Sequence, residues 1–178
     1  MSIGTGTEQG DTREVNVAYE VSTRETEDQQ VLTELYYGTT DGLQEWMGPA
    51  IGRLWERADK YGGVTGAVFV AFHGEITPES HGTVEACIPI GLDKNVPLTE
   101  PHRFAPAHRE SYTRIKKKQV VFPDILDAYK AVEKWIIENG EKVVAAPREV
   151  YFADFMNACD DDEVTDIAFP IAFLSSGT

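Results

Sequence analysis

Cysteine is nearly absent from this chain, with only Cys87 and Cys159 among 178 residues. Two cysteines cannot build a disulfide framework, and they lack metal-ligand spacing. Cys87 lies in an apolar run and reads as a small buried side chain. The four histidines, His73, His81, His102 and His108, form no metal-binding motif of the HExxH kind. His102 and His108 are expected on strand surfaces, and neither a metal nor a cofactor is expected. Positive charge is also scarce. Sixteen Lys and Arg stand against 30 Asp and Glu, a net charge of −14. Such a field repels phosphate backbones and attracts cations, which argues against direct nucleic-acid binding. No run reaches the roughly 20 apolar residues of a membrane helix, and the polar N-terminus carries no signal-peptide pattern. The expected setting is the cytoplasm, with no membrane partner.

What the chain does contain is a repetition. Residues Gly82-Thr83-Val84-Glu85-Ala86-Cys87-Ile88-Pro89-Ile90 are echoed by Glu163-Val164-Thr165-Asp166-Ile167-Ala168-Phe169-Pro170-Ile171. Ahead of each run lies a helical stretch that opens on Pro (Pro49, Pro123) and stops at Gly (Gly62, Gly140). Two halves, about 14–91 and 102–174, predict a duplicated α+β fold with a cleft between the copies. Met1 to about Arg13 reads as a flexible tail, and 14–174 as one unit.

The first half reads β, β, α, β, β. Val15–Val21 and Gln30–Tyr37 alternate as strands. From Pro49, Ile51, Leu54, Trp55, Ala58 and Tyr61 form a helical stripe. Val64–His73 and Thr83–Ile90 make a strand pair, and Gly91–Pro101 has linker composition. In the second half Arg103–Pro106 is a short strand and Ala107–Gln119 a longer one. The latter places His108, Glu110, Tyr112 and Arg114 on one face, with Ser111, Thr113 and Ile115 on the other. A helix from Phe122-Pro123 to about Asn139 has the stripe Ile125, Leu126, Tyr129, Val132 and Ile136, with Trp135 at its edge. Pro147–Asn157 and Val164–Phe173 complete the set. Lys116, Lys117 and Lys118 are expected on a charged sheet edge.

Glu149 carries the functional reading. It stands two residues from Tyr151, so the two side chains share one face of a strand while Val150 and Phe152 take the other. A carboxylate among aromatic rings is destabilised by desolvation. A flat organic cation offsets that penalty by supplying counter-charge, and each well-placed ring attracts it by about 0.5–2 kcal/mol. Further wall candidates are Tyr112, Tyr37, Phe72, Trp135, Trp46 and Trp55. Tyr37 and Tyr112 stand at similar distances ahead of Pro49 and Pro123, which makes them near-equivalents in the two halves.

The order His108-Arg109-Glu110-Ser111-Tyr112, the helix with Trp135 ending at Gly140, Pro147-x-Glu149-x-Tyr151 and the closing Thr165–Ile171 resembles the GyrI-like small-molecule-binding domains. These also form the effector-binding part of multidrug-responsive transcription activators. The resemblance spans about residues 15 to 173. It implies a tandem βαββ duplication, an antiparallel sheet with two helices on one side and a central cleft. It implies that Glu149 is the pocket acid receiving cationic drugs, with Tyr112 and Tyr151 as pocket aromatics. Where the family often has Gly, this chain has Glu110, and the Lys116–Val121 stretch is longer than usual.

The expected function is a stand-alone binder or sensor of hydrophobic, often cationic aromatic compounds, linked to transcriptional regulation or drug resistance. Its protein partner, if any, is open. The competing expectation is a hydrolase of cyclopropane-containing, DNA-alkylating natural products, in which Glu149 acts with Tyr112, Tyr151 or Trp135. A third is a protein-interaction module, such as an inhibitor of DNA gyrase.

Overall fold

The structure, a computed structural model, describes residues 18–173. The expected N-terminal tail and the start of the first expected strand lie outside the described residues. The elements run β1 (Val21–Glu25), β2 (Gln29–Gly38), α1 (Thr40–Asp59), β3 (Val68–Phe72), β4 (Gly82–Ile90), β5 (His102–Ala105), β6 (Arg109–Lys116), α2 (Ile125–Glu138), β7 (Arg148–Tyr151) and β8 (Glu163–Ile171). All eight strands form one antiparallel sheet in the order β1-β6-β8-β7-β3-β4-β2-β5. This is an α+β fold with two helices on one side of the sheet.

The strand order is its own mirror under the exchange of halves. Swapping β1 with β5, β2 with β6, β3 with β7 and β4 with β8 returns the same sequence of neighbours. The short first strand of each half is exchanged, β1 lying beside β6 and β5 beside β2. The register obeys the same symmetry. Val31 faces Pro89 as Glu110 faces Pro170, and Leu35 faces Glu85 as Arg114 faces Asp166. At the centre Val70 of β3 pairs with Glu149 of β7, and these are each other's counterparts. A pseudo-twofold axis therefore passes between them.

Alternation along the strands sends one set of side chains under the helices. Leu54 and Ala58 of α1 pack on Leu32, Val68, Ala86, Ile88 and Ile90. Ala128, Val132 and Ile136 of α2 pack on Ile115, Ile167, Phe169 and Ile171. A fully buried side chain of this kind contributes about 1.5–3 kcal/mol.

Helix α1 starts at Thr40 rather than at Pro49, which lies inside it. The apolar stripe explains this, since Leu43, Trp46 and Met47 continue the face of Ala50, Leu54 and Ala58 toward the N-terminus. Pro49 removes a single backbone donor, and Gly48 before it leaves room for the ring. Strand β7 ends at Tyr151, short of the expected Asn157. Asp154 stops it by accepting from the backbone N–H of Asn157 (3.3 Å) and from its Nδ2 (2.6 Å). The three lysines do not form a sheet edge, because β6 ends at Lys116 and the chain turns there into a 3-10 turn, Lys117–Gln119. Lys116 and Lys118 instead reach Asp161, and Lys117 donates to the Ala158 carbonyl. They tie down the β7–β8 loop.

Candidate functional site

Glu149 sits at the middle of β7 on the helix-covered face, and only 6% of it is exposed. Both carboxylate oxygens are held. Tyr129 of α2 donates its hydroxyl to Oε1 at 2.8 Å, and Tyr151 donates to Oε2 at 2.7 Å. Among the described residues no Lys, Arg or His side chain pairs with it. Burial raises its pKa, and the two tyrosine hydrogen bonds offset this only in part. Burial and the neighbouring carboxylate push both tyrosine hydroxyls well above their usual range, so they remain protonated donors.

Aromatic rings close the surroundings. Phe72 meets Tyr129 edge-on at 6.3 Å, and Tyr129 meets Phe169 at 5.9 Å. Phe155 stands edge-on to Tyr151 at 6.0 Å. The first two turns of α1 supply the opposite wall, where Trp46 and Met47 pack with Phe72 and Tyr151. The Tyr151 hydroxyl lies 3.9 Å from the Met47 sulfur. Phe72 and Tyr151 are counterparts under the pseudo-twofold, as Val70 and Glu149 are. The duplication thus breaks its symmetry on the axis, with one acid facing one valine.

The sequence-predicted residues separate into two groups. Glu149, Tyr151, Phe72 and Trp46 are brought together. Tyr112 and Tyr37 are on the opposite face of the sheet. Tyr112 aligns through Ala168 with Arg148, one residue away from Glu149, so strand parity turns it away. Tyr37 is exposed and stacks near His81 at 5.7 Å. Their expected equivalence also fails, because the register matches Tyr112 with Thr33. Trp55 is 48% exposed, on the outer side of α1. Trp135 packs at the flank of the α2 core, about 120° around the helix from Tyr129. In the sequence Tyr129 belongs to the core stripe of the second helix. The available signal was its hydroxyl, the one polar group in the stripe and one that needs a partner when buried.

Glu110 also belongs to the opposite face. It is fully buried, accepting from Arg24 Nε at 2.7 Å and from Arg148 Nε at 2.9 Å, with His108 Nε2 at 3.1 Å. Burial works to raise its pKa, but the His108 hydrogen bond and the charges of Arg148 and Arg24 outweigh it and hold the carboxyl at about 2. Among the described residues no three His, Cys, Asp or Glu side chains gather as a metal site would require, and no helix is long and apolar enough to cross a membrane.

No protein-family model matches the chain, and no curated protein matches it in sequence. Solved structures do match. The crystal structure of the EcmrR C-terminal domain superposes with a TM-score of 0.69 at 20% identity, over 88% of this chain and 99% of that one. In an EcmrR–DNA complex the likeness is again 0.69, at 21% identity, and spans 88% of this chain but 58% of the EcmrR chain. SAV2435 bound to tetraphenylphosphonium is similar at a TM-score of 0.52 and 12% identity, over 85% of this chain and 93% of that one. A hydrolase from Listeria innocua gives 0.57 at 8% identity, over 86% and 92%. At these identities the shared property is the fold, an eight-stranded antiparallel sheet with two helices.

Proposed function

We propose that this chain is a GyrI-like effector-binding unit, a binder of hydrophobic aromatic cations in which Glu149 receives the positive charge. The observation that carries the reading is a buried carboxylate held by two tyrosine hydroxyls, ringed by aromatic side chains and without a cationic partner among the described residues. A buried anion of this kind is stabilised by a ligand that brings the missing charge. Phe72, Tyr129, Tyr151, Trp46 and Phe155 supply ring faces and edges around it. Access to Glu149 requires the Trp46 and Met47 side of α1 to yield, since the acid is covered in the free protein. That SAV2435 shares the fold and was solved with tetraphenylphosphonium supports this ligand class. A role in transcriptional regulation or drug resistance follows as sensing of such compounds, and the net charge of −14 disfavours DNA contact by this chain itself.

The test is titration with methyltriphenylphosphonium. Saturable 1:1 binding that Glu149→Gln abolishes supports the reading, and equal binding by the variant rejects it. The fold likeness to a hydrolase keeps a second reading in play, with Glu149 as a base whose raised pKa suits proton abstraction. Incubation with a cyclopropane-bearing alkylator separates the two. More than one equivalent of ring-opened product per protein favours turnover, and consumption that stops at one equivalent or below excludes it.

A further inference from the structure

The duplication provides an internal comparison on the sheet face that no helix covers. Glu85 and Asp166 are counterparts, as are Arg103 and Arg24, and through the exchanged strands each arginine binds the acid of the other half. The halves then diverge at three places. Val31, Leu35 and Phe69 of the first half correspond to Glu110, Arg114 and Arg148 of the second. The second half has therefore gained two guanidiniums and one carboxylate, leaving Arg24, Arg114 and Arg148 on Glu110 and Asp166. Within the ion-paired cluster three cations share two acids.

The three guanidiniums stand at a cavity of about 280 Å³ whose wall also holds Phe69, Val150 and Phe152 and the carboxylates of Asp166, Glu25 and Glu27. Arg24 commits Nε and Nη1 to the two acids, and Arg114 commits Nε and Nη2 to Asp166. The remaining terminal nitrogen of each has no protein partner among the described residues. Arg114 also stacks on Phe152 at 4.0 Å and Arg148 on Phe69 at 4.8 Å, which fixes the guanidinium planes. Burial pulls the Arg148 pKa down even with Glu110 beside it. Strand β7 is the partition between this cavity and the buried Glu149 site, Arg148 and Val150 pointing one way, Glu149 and Tyr151 the other.

We propose that this cavity is a second ligand site, selective for a compact monoanion with a flat apolar body, such as an aryl carboxylate. The carboxylate meets the uncommitted N–H groups of Arg24 and Arg114, and the ring lies against Phe69 and Val150. The exposed Glu25 and Glu27, also at this cavity, repel more highly charged ligands and so disfavour phosphate. The volume is near the lower end of small-molecule pockets, which limits the ligand to one or two rings.

Calorimetric titration with 2-naphthoate tests the site, with 2-naphthylmethanol and inorganic phosphate as controls. Saturable 1:1 binding of naphthoate is expected, at least tenfold tighter than either control. Arg114→Gln, at a half-exposed position, is expected to weaken it at least tenfold with an unchanged melting temperature within a few degrees. Phe152→Ala is expected to weaken it several-fold, and Glu149→Gln to leave it unchanged. Absence of saturation at millimolar naphthoate, or full-strength binding by Arg114→Gln, overturns the proposal. Loss of binding in Glu149→Gln also overturns it, because it puts the anion on the other face of β7. None of these results depends on whether the Glu149 site accepts cations.

Discussion

Substituting Glu149 by Gln removes one negative charge while retaining the side-chain shape and an acceptor for a tyrosine hydroxyl. In the free protein the acid is desolvated and its pKa is raised. Bound to a monocation it becomes half of a buried charge pair, and removing one partner of such a pair costs about 3–5 kcal/mol. That corresponds to a Kd for methyltriphenylphosphonium weakened by about 100-fold or more. The ring contacts, about 0.5–2 kcal/mol each, survive the substitution. Triphenylphosphine oxide, neutral and of similar shape, should therefore bind parent and variant alike. The pH dependence gives an independent check. Below the raised pKa the free carboxyl is protonated and must lose its proton when a cation binds, so affinity falls by about tenfold per pH unit there and is flat above it. In the Gln variant it is flat throughout. Stability moves the opposite way. A carboxyl whose folded pKa is raised stabilises the fold in full only below its ordinary value of 4.5, and the stabilisation is lost as pH rises through the folded value. The free Gln variant should thus melt at or above the parent at neutral pH. Calorimetry across a pH series measures all three effects. Equal cation affinity for parent and variant, with the same pH slope, would refute the charge-receptor argument.

Three further outcomes follow from the same geometry. Tyr129→Phe removes one hydrogen bond from the Glu149 carboxylate and so raises its pKa further, which should move the pH dependence of cation binding to higher pH in the same titration. Glu110→Gln should lower stability by about 3 kcal/mol at neutral pH, the value of shifting a carboxyl from 4.5 to about 2. Because a depressed pKa stabilises above the ordinary value and is lost as pH falls toward 2, thermal melts of parent and variant should converge in acid. Leu54→Ala opens a cavity under α1, where Leu54 is fully buried, and should cost about 2–5 kcal/mol by chemical denaturation.

Much of the sheet was legible because strand periodicity is local. The alternation in Gln30–Tyr37 and the repeated Gly82–Ile90 and Glu163–Ile171 runs located β2, β4 and β8 within a residue or two. The same parity set Glu149 and Tyr151 on one face and Glu110, Tyr112 and Arg114 together on another. The start of α1 is not legible locally, because Pro49 by itself favours the first helical position, whereas burial of Leu43 against Val70 and Val84 outweighs the single lost hydrogen bond.

The amino-acid order alone determined the duplication, most of the strands and the lone acid with its tyrosine, since each depends on neighbours a few residues apart. Only the tertiary structure decided which faces meet. The exchange of β1 and β5, the pairing of Val70 with Glu149 on the axis and the arrival of Tyr129 from α2 are contacts between distant segments. Parity within one strand carries no information about parity in another until their hydrogen bonds set a common register, and that register sent Tyr112 to the far face and Tyr129 to the acid.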